Sequence, residues 1–335
     1  MIDNPIFIIG TERSGSNLLR LLLNAHPHIS IPHPPHIMRD FAPLVSGYGD
    51  LDQNENFSHL VDDVIKVVEF HFSPWPFKLN KEEVISLVPS KTLYGVYVAL
   101  YEIYLKHDKK NRWGCKSTFM FSEIESILRH HHNPRFIHLV RDPRDIAVSA
   151  GQSIFSKYHP YKMAELWKHE QDAIEKWSSL RIDNKLLTIR YEDLTNNPEG
   201  KLKIIMNFLG EEFHLNQLNY FQEKEAKRLA NLSKSWAQVQ KPVNTNSVGQ
   251  YKAKLTLGEV ELIEFLCSDL MKKYHYQLET KPQDIHSPTL LKIIEIELLE
   301  KYYFLKTEAS AAFSDKNFFL RWKKKLLLKK LALKY

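Results

Sequence analysis

The sequence predicts an α/β fold: a P-loop-like parallel sheet flanked by helices, with a helical C-terminal extension. Three observations point there. The chain opens with a strand, a glycine-bearing loop and a helix in immediate succession. Apolar, β-branched runs then alternate with segments of helical periodicity. A Leu- and Lys-rich stretch follows a polar, proline-containing break after residue 280. Strands separated by helices pair in parallel through right-handed crossovers.

Ile6 to Ile9, between Pro5 and Gly10, is apolar and rich in isoleucine, the pattern of a buried strand. After the loop Thr11–Ser16, the run Asn17 to Asn24 (NLLRLLLN) reads as a helix. His26–Pro35 holds four prolines and several histidines, so it reads as a constrained loop. Residues 57–72 and 92–107 carry helical periodicity, Arg112–Lys116 reads as a short strand, and 120–131 as a helix. His130, His131 and His132 end that helix pointing in different directions, which suits solvated side chains better than a metal site. Arg135–Val140 (RFIHLV) is another strand, and Ile146 to Phe155 is the helix behind the turn that follows it. Ala164–Leu180 reads as a helix, Leu186–Tyr191 as a strand and Glu199–Leu209 as a helix. Lys281–Pro288 is polar with two prolines and marks a boundary between residues 1–280 and a basic helical extension, 281–335.

With 43% hydrophobic and 26% charged residues, the composition excludes a disordered chain and a coiled coil. Cys115 and Cys267 form no CxxC pair and no disulfide framework, so a reducing compartment is expected. The first nine residues lack a basic flank, and no run reaches the roughly 18 apolar residues of a spanning helix. A cytoplasmic location is the expectation. The formal net charge is +6, and residues 281–335 account for it with 12 Lys and Arg against 6 Asp and Glu. The excess therefore belongs to a tail, apart from any chemistry in the neutral body. A weak contact of that tail with a membrane surface or an acidic partner is expected, and no nucleic acid. Phe318, Trp322, Lys325 and Lys329 share one helical column, which argues against a clean membrane-surface helix.

Two loops carry candidate chemistry. Gly10-Thr-Glu-Arg13-Ser14-Gly15-Ser16-Asn17-Leu18 has P-loop glycine spacing, and helix N-terminal amides at such a loop face an anion. A nucleotide-hydrolysing loop continues with Lys and then Ser or Thr, where this chain has Ser16 and Asn17. The loop keeps an amide cradle, with Arg13 as its one cation, and suits an anion transferred without a metal. The competing reading is an ordinary strand-to-helix turn. In the second loop, Arg141 ends an apolar strand and Ser149 follows eight residues later on the next helix, a pair able to grip one phosphate. Against it, Asp142 and Asp145 would neutralise Arg141 and Arg144 as a surface network.

Together the two loops resemble the sulfotransferases that use 3′-phosphoadenylyl sulfate (PAPS). Arg13-Ser14-Gly15-Ser16-Asn17-Leu18 is similar to that family's 5′-phosphosulfate loop, and Arg141 with Ser149 to its 3′-phosphate motif. LLNAHP at 22–27, Tyr191-Glu192-Asp193-Leu194 with Pro198, and the stretch from Lys241 through Ser247 to Lys252 extend the likeness over residues 5–278. The motif style is closest to bacterial and tyrosylprotein-type members.

The resemblance implies transfer of a sulfuryl group from PAPS to a hydroxyl or amine, leaving 3′,5′-ADP (PAP), with no metal. It assigns Arg13 and the amides of Ser14, Gly15, Ser16 and Asn17 to the phosphosulfate, and Arg141 and Ser149 to the 3′-phosphate. It puts Lys116 near the bridging oxygen, Tyr191 near the adenine and Ser247 on the cofactor. The late loop lacks the cations of the cytosolic members, and Lys252 is the candidate to compensate. Lys252–Glu261 is similar to a family dimer segment, which implies a homodimer. For the general base the resemblance points to the segment 31–36, where His36 is preferred and His33 second. The acceptor has no motif, so small molecule, carbohydrate, lipid and peptide stay open. Trp75, Phe77, Tyr94, Tyr97 and Tyr101 read as core before they read as its pocket. The alternatives are a P-loop nucleotide kinase or NTPase, and a non-catalytic anion-binding or membrane-associated scaffold.

Overall fold

The computed structural model describes residues 4–153, 158–232, 234–281, 286–315 and 317–335. Its strands are β1 (Ile6–Ile9), β2 (Ile29–Ser30), β3 (Arg112–Lys116), β4 (Arg135–Val140) and β5 (Leu186–Arg190). They form one sheet in the order β2-β3-β1-β4-β5, and every pairing is parallel. The α/β class and the parallel sheet are therefore as the sequence predicts, and the first strand takes the central place.

Around the sheet the helices run α1 (Ser16–Asn24), α2 (Ile37–Phe41), α3 (Asn54–Glu69), α4 (Lys81–Leu87), α5 (Leu93–Asp108) and α6 (Ile124–His130). They continue with α7 (Pro143–Gly151), α8 (Pro160–Glu175), α9 (Ser179–Ile182), α10 (Tyr191–Asn196), α11 (Pro198–Leu209) and α12 (Lys224–Leu232). The last four are α13 (Tyr251–Lys254), α14 (Leu257–Lys273), α15 (Leu290–Ser314) and α16 (Phe318–Lys334).

β1 is buried on both faces, which is why its four residues are apolar without alternation. Phe7 and Ile9 join a core with α3 and α5, while Ile6 and Ile8 join another with α1 and α11. Phe7 stacks on Phe136 of β4 at 5.5 Å and meets Trp113 of β3 edge-on at 5.7 Å, pinning the three central strands together. Trp75, Tyr94, Tyr97 and Tyr101 lie buried in that first core, the role the sequence favours for them.

The differences are local. The proline-rich segment 26–35 contributes the two-residue strand β2, too short to show a period. The helix expected at 120–131 splits into a 3-10 turn, Thr118–Glu123, and α6. Ala164–Leu180 divides into α8 and α9, and Tyr191 opens α10 instead of closing β5. α7 begins at Pro143 under an Asp142 cap, three residues before Ile146; the expected end at Phe155 and the core of the Lys281–Pro288 break lie outside the described residues. His131 is not solvated: the chain turns inward after α6, and its Nε2 meets the Tyr94 hydroxyl at 3.1 Å.

The C-terminal helices lie against the body. Glu300 of α15 accepts the backbone N–H groups of Tyr158 and His159 at 2.9 and 2.7 Å. On α16, Lys324 donates to the Pro35 carbonyl at 3.0 Å and pairs with Asp40 at 2.6 Å, Leu331 is buried, and Tyr335 stacks on Tyr48. Among the described residues no helix is long and apolar enough to cross a membrane.

Candidate active site

The loop after β1 is shaped by glycine where no side chain fits. At Gly10 (φ 137°) a Cβ would lie 2.4 Å from the Leu139 carbonyl oxygen, so the chain leaves β1 pressed against β4. At Gly15 (φ 92°) it would lie 2.4 Å from the Tyr191 ring. Gly15 is also the N-cap of α1 and offers no side chain to the first-turn amides. Those amides face outward from a helix with no acid in its first turn, the arrangement that attracts anions. Ser14 Oγ and Asn17 Oδ1 are buried beside them without a hydrogen-bond partner among the described residues. Gly15→Ala is expected to cost about 1–3 kcal/mol of stability and to weaken anion binding, checked by thermal melting and calorimetry.

The loop is braced from behind. Gln171 Nε2 donates to Thr11 Oγ1 at 2.8 Å, and its amide oxygen meets His138 Nε2 at 2.6 Å. Burial pushes the neighbouring Glu170 carboxyl up to about 8, so it is protonated at neutral pH and leaves the anion loop unopposed by its charge.

Arg141 ends β4 beneath this loop. It donates to the carbonyls of Arg13 (2.9 Å) and Ser247 (2.6 Å), and its guanidinium sits 4.5 Å from the Tyr191 ring centroid. Its Nε is buried without a partner among the described residues. Arg13 Nε donates to Ser149 Oγ at 3.2 Å. Arg13, Gly15, Ser16, Asn17, Arg141, Ser149, Tyr191 and Ser247 thus line one cavity of about 440 Å³. Ser14 stays just behind its wall, fully buried.

The acids of the RDPRD run do other work than the surface network considered above. Asp142 is bidentate to Arg144, which also pairs with Glu264 at 2.6 Å, all three buried. Asp145 accepts the backbone N–H groups of Gly249 (2.7 Å) and Tyr251 (3.0 Å), fastening the late loop over the site. Arg141 is left with carbonyl partners and an open Nε. Lys252 does not join this cavity: its largely exposed ammonium pairs with Glu279 at 3.1 Å. Tyr220, Trp236 and Val239 supply the opposite wall, which no sequence motif marked.

A second cavity, about 400 Å³, shares Arg13, Ser16, Asn17 and Trp236 with the first. Lys116, His33 and His36 line it. Lys116 ends β3 in register with Ile8, two residues before the anion loop begins at Gly10. Burial, then the charges of Arg20 and Arg13, pull its ammonium down to about 7. Both histidines are held well below their ordinary value, first by burial. His33 is packed among His71, Phe72 and Trp236, and neither ring nitrogen has a partner among the described residues. His36 occupies the left-handed region (φ 60°) as N-cap of α2, with Nδ1 at 3.4 Å from Ser117 Oγ.

The outer rim is basic: Arg39 of α2 and Arg321, Lys324 and Lys325 of α16 line it with Leu328. The tail is expected to stand apart from the chemistry, but α16 lines the same cavity as the candidate residues Lys116, His33 and His36.

The parallel sheet's central strand feeds the glycine loop, and an arginine from the adjacent strand lies over the same cavity, at the carboxyl edge where open α/β sheets place their ligand crevices. The family model described as the Sulfotransferase family matches residues 5–214, and the chain belongs to that family. It is 22% identical over 313 residues to protein-tyrosine sulfotransferase 1 of Danio rerio, covering 89% of this chain and 80% of that one. Among solved structures, the sulfotransferase domain of the Synechococcus PCC 7002 olefin synthase is similar with TM-score 0.52, at 21% identity over 83% of this chain and 97% of that one. The sulfotransferase domain from the curacin biosynthetic pathway gives 0.55, at 18% identity over 83% and 99%. Those two likenesses show the fold.

Proposed function

We propose that the chain transfers a sulfuryl group from PAPS to an acceptor hydroxyl or amine and releases 3′,5′-ADP. One observation carries the reading: the anion loop and the Arg141–Ser149 pair face one cavity, and the loop also borders a second cavity holding a lysine and two neutral imidazoles. The unpartnered Arg141 Nε is a donor that an anionic nucleotide would satisfy. A kinase or NTPase reading is disfavoured because Ser16 and Asn17 stand where a lysine and a magnesium-binding hydroxyl belong.

PAPS supplies a sulfuryl group on a phosphate leaving oxygen. The α1 amides and Arg13 hold that end, and Arg141 with Ser149 selects the 3′-phosphate. Lys116 offsets the charge that grows on the leaving oxygen as the sulfur–oxygen bond breaks. A neutral histidine takes the acceptor proton as the new bond to sulfur forms. The sequence placed His36 first; the two unsatisfied ring nitrogens of His33 make His33 the stronger candidate.

Calorimetry with 3′,5′-ADP, 5′-AMP and ATP tests the donor. 3′,5′-ADP is expected to bind tightest. Arg141→Ala is expected to weaken it about 10- to 100-fold while changing 5′-AMP little. Equal affinities for 3′,5′-ADP and 5′-AMP in the unaltered protein overturn the assignment.

A further inference from the structure

The two C-terminal helices are turned inside out. Of the large apolar side chains that stand exposed, most belong to residues 290–335. On α15, Leu291, Ile294, Leu298, Tyr302 and Leu305 fall at helical spacing in one stripe, and they are between 48% and 78% exposed. Ile296 and Ala311, on the far side of the helix, are buried against the protein. The stripe is therefore the solvent face, and it extends roughly 21 Å between Leu291 and Leu305 at about 1.5 Å per residue. α16 repeats the pattern: Lys324 and Leu331 face inward, while Phe319, Trp322 and Leu333 are exposed.

Charge decides what such a surface fits. The acids of α15 are used internally: Glu295 pairs with Lys292, Glu297 with Lys162 and Glu308 with Arg321, while Glu300 caps the start of α8. Asp315, between the helices, pairs with Arg321. Lys301, Lys323, Lys329 and Lys330 are exposed beside the apolar stripes and form no ion pair among the described residues. Large apolar and aromatic side chains set among unpaired lysines are the composition of a helix lying in the headgroup layer of an anionic bilayer.

We propose that α15 and α16 together form a docking surface for an anionic membrane, on which the protein lies without spanning it. The mixed column that argues against a membrane helix in α16 taken alone matters less once the α15 stripe provides the apolar area. Because the inner face of α16 walls the second cavity, docking would bring that cavity's rim close to the lipid surface.

The full-length protein is tested by co-sedimentation with phosphatidylcholine vesicles and with vesicles carrying phosphatidylglycerol. Binding is expected only to the second kind and is expected to fall as salt rises. The double variant Leu298→Glu/Leu305→Glu is expected to lose at least tenfold in partitioning, with its melting temperature preserved because both side chains are exposed. Lys329→Glu/Lys330→Glu is expected to lose about tenfold or more on anionic vesicles. No binding to anionic vesicles, or equal binding to neutral ones, overturns the proposal. So does a dimer in sedimentation equilibrium that Leu298→Glu/Leu305→Glu dissociates, since the stripe would then be a contact between copies of this chain.

Discussion

Lys116→Ala is expected to lower kcat by about 10²- to 10³-fold while leaving 3′,5′-ADP affinity within a few-fold. Lys116 is buried at the end of β3 and lines the second cavity, which on the proposed function is the acceptor side of the shared anion loop. A cation there meets the donor's charge in the ground state and more of it when the leaving oxygen develops its own. Its pH behaviour follows from its surroundings. With an ammonium pulled down to about 7 by burial and by Arg20 and Arg13, the charged form holds below pH 7 and is lost as pH rises through it. The alkaline limb of kcat/KM should therefore fall near pH 7, since that constant reports the free enzyme. A bound anionic donor restores the charge, so the corresponding limb of kcat should move to higher pH. Steady-state kinetics from pH 5.5 to 9.5 measures both limbs. A Lys116→Ala variant with unchanged kcat and an unchanged alkaline limb removes the lysine from the mechanism.

Much of this site could be read in the sequence because its signals are local. The isoleucine run, the glycines at 10 and 15 and the leucine helix fall within 20 residues, and each states its backbone conformation directly. Arg141 and Ser149 are separated by one turn and one short helix. What escaped reading is set by pairings across the chain. Lys324 donates to a carbonyl 289 residues away, and no periodicity in the tail announces that contact. Lys252 shows a cation in the right loop, but Asp145 grips that loop at Gly249 and Tyr251, and Glu279 then claims the ammonium. Trp236, shared by both cavities, sits in a stretch with no motif. Counting charges by segment does not show where they fold: α16 contributes lysines to a rim shared with Arg39 of α2.

The base is where sequence and structure weigh the candidates differently, and the expected result is asymmetric. His33→Gln should lose about 10²- to 10⁴-fold in kcat, whereas His36→Asn should lose less than tenfold. Asparagine is the fair replacement at 36, because it tolerates the left-handed backbone that His36 adopts there. A buried neutral imidazole carries one N–H and one lone pair, and leaving both unmatched costs about 1–3 kcal/mol for each group. On the proposed function, an acceptor hydroxyl donating to the lone-pair nitrogen of His33 would recover part of that cost. His36 already has Ser117 Oγ near one nitrogen. The surroundings also set the pH dependence. Burial, then His71, Lys116 and Arg20, hold His33 well below 6.5, so it is a free base at neutral pH and is lost only as pH falls through its lowered value. The acidic limb of kcat/KM should thus lie well below 6.5, and it should disappear in His33→Gln while persisting in His36→Asn. A purely structural role for His33 would lower activity at every pH without removing the limb. Should His36→Asn abolish the limb and His33→Gln keep it, the proton goes to His36 and the aromatic cage around His33 serves packing alone.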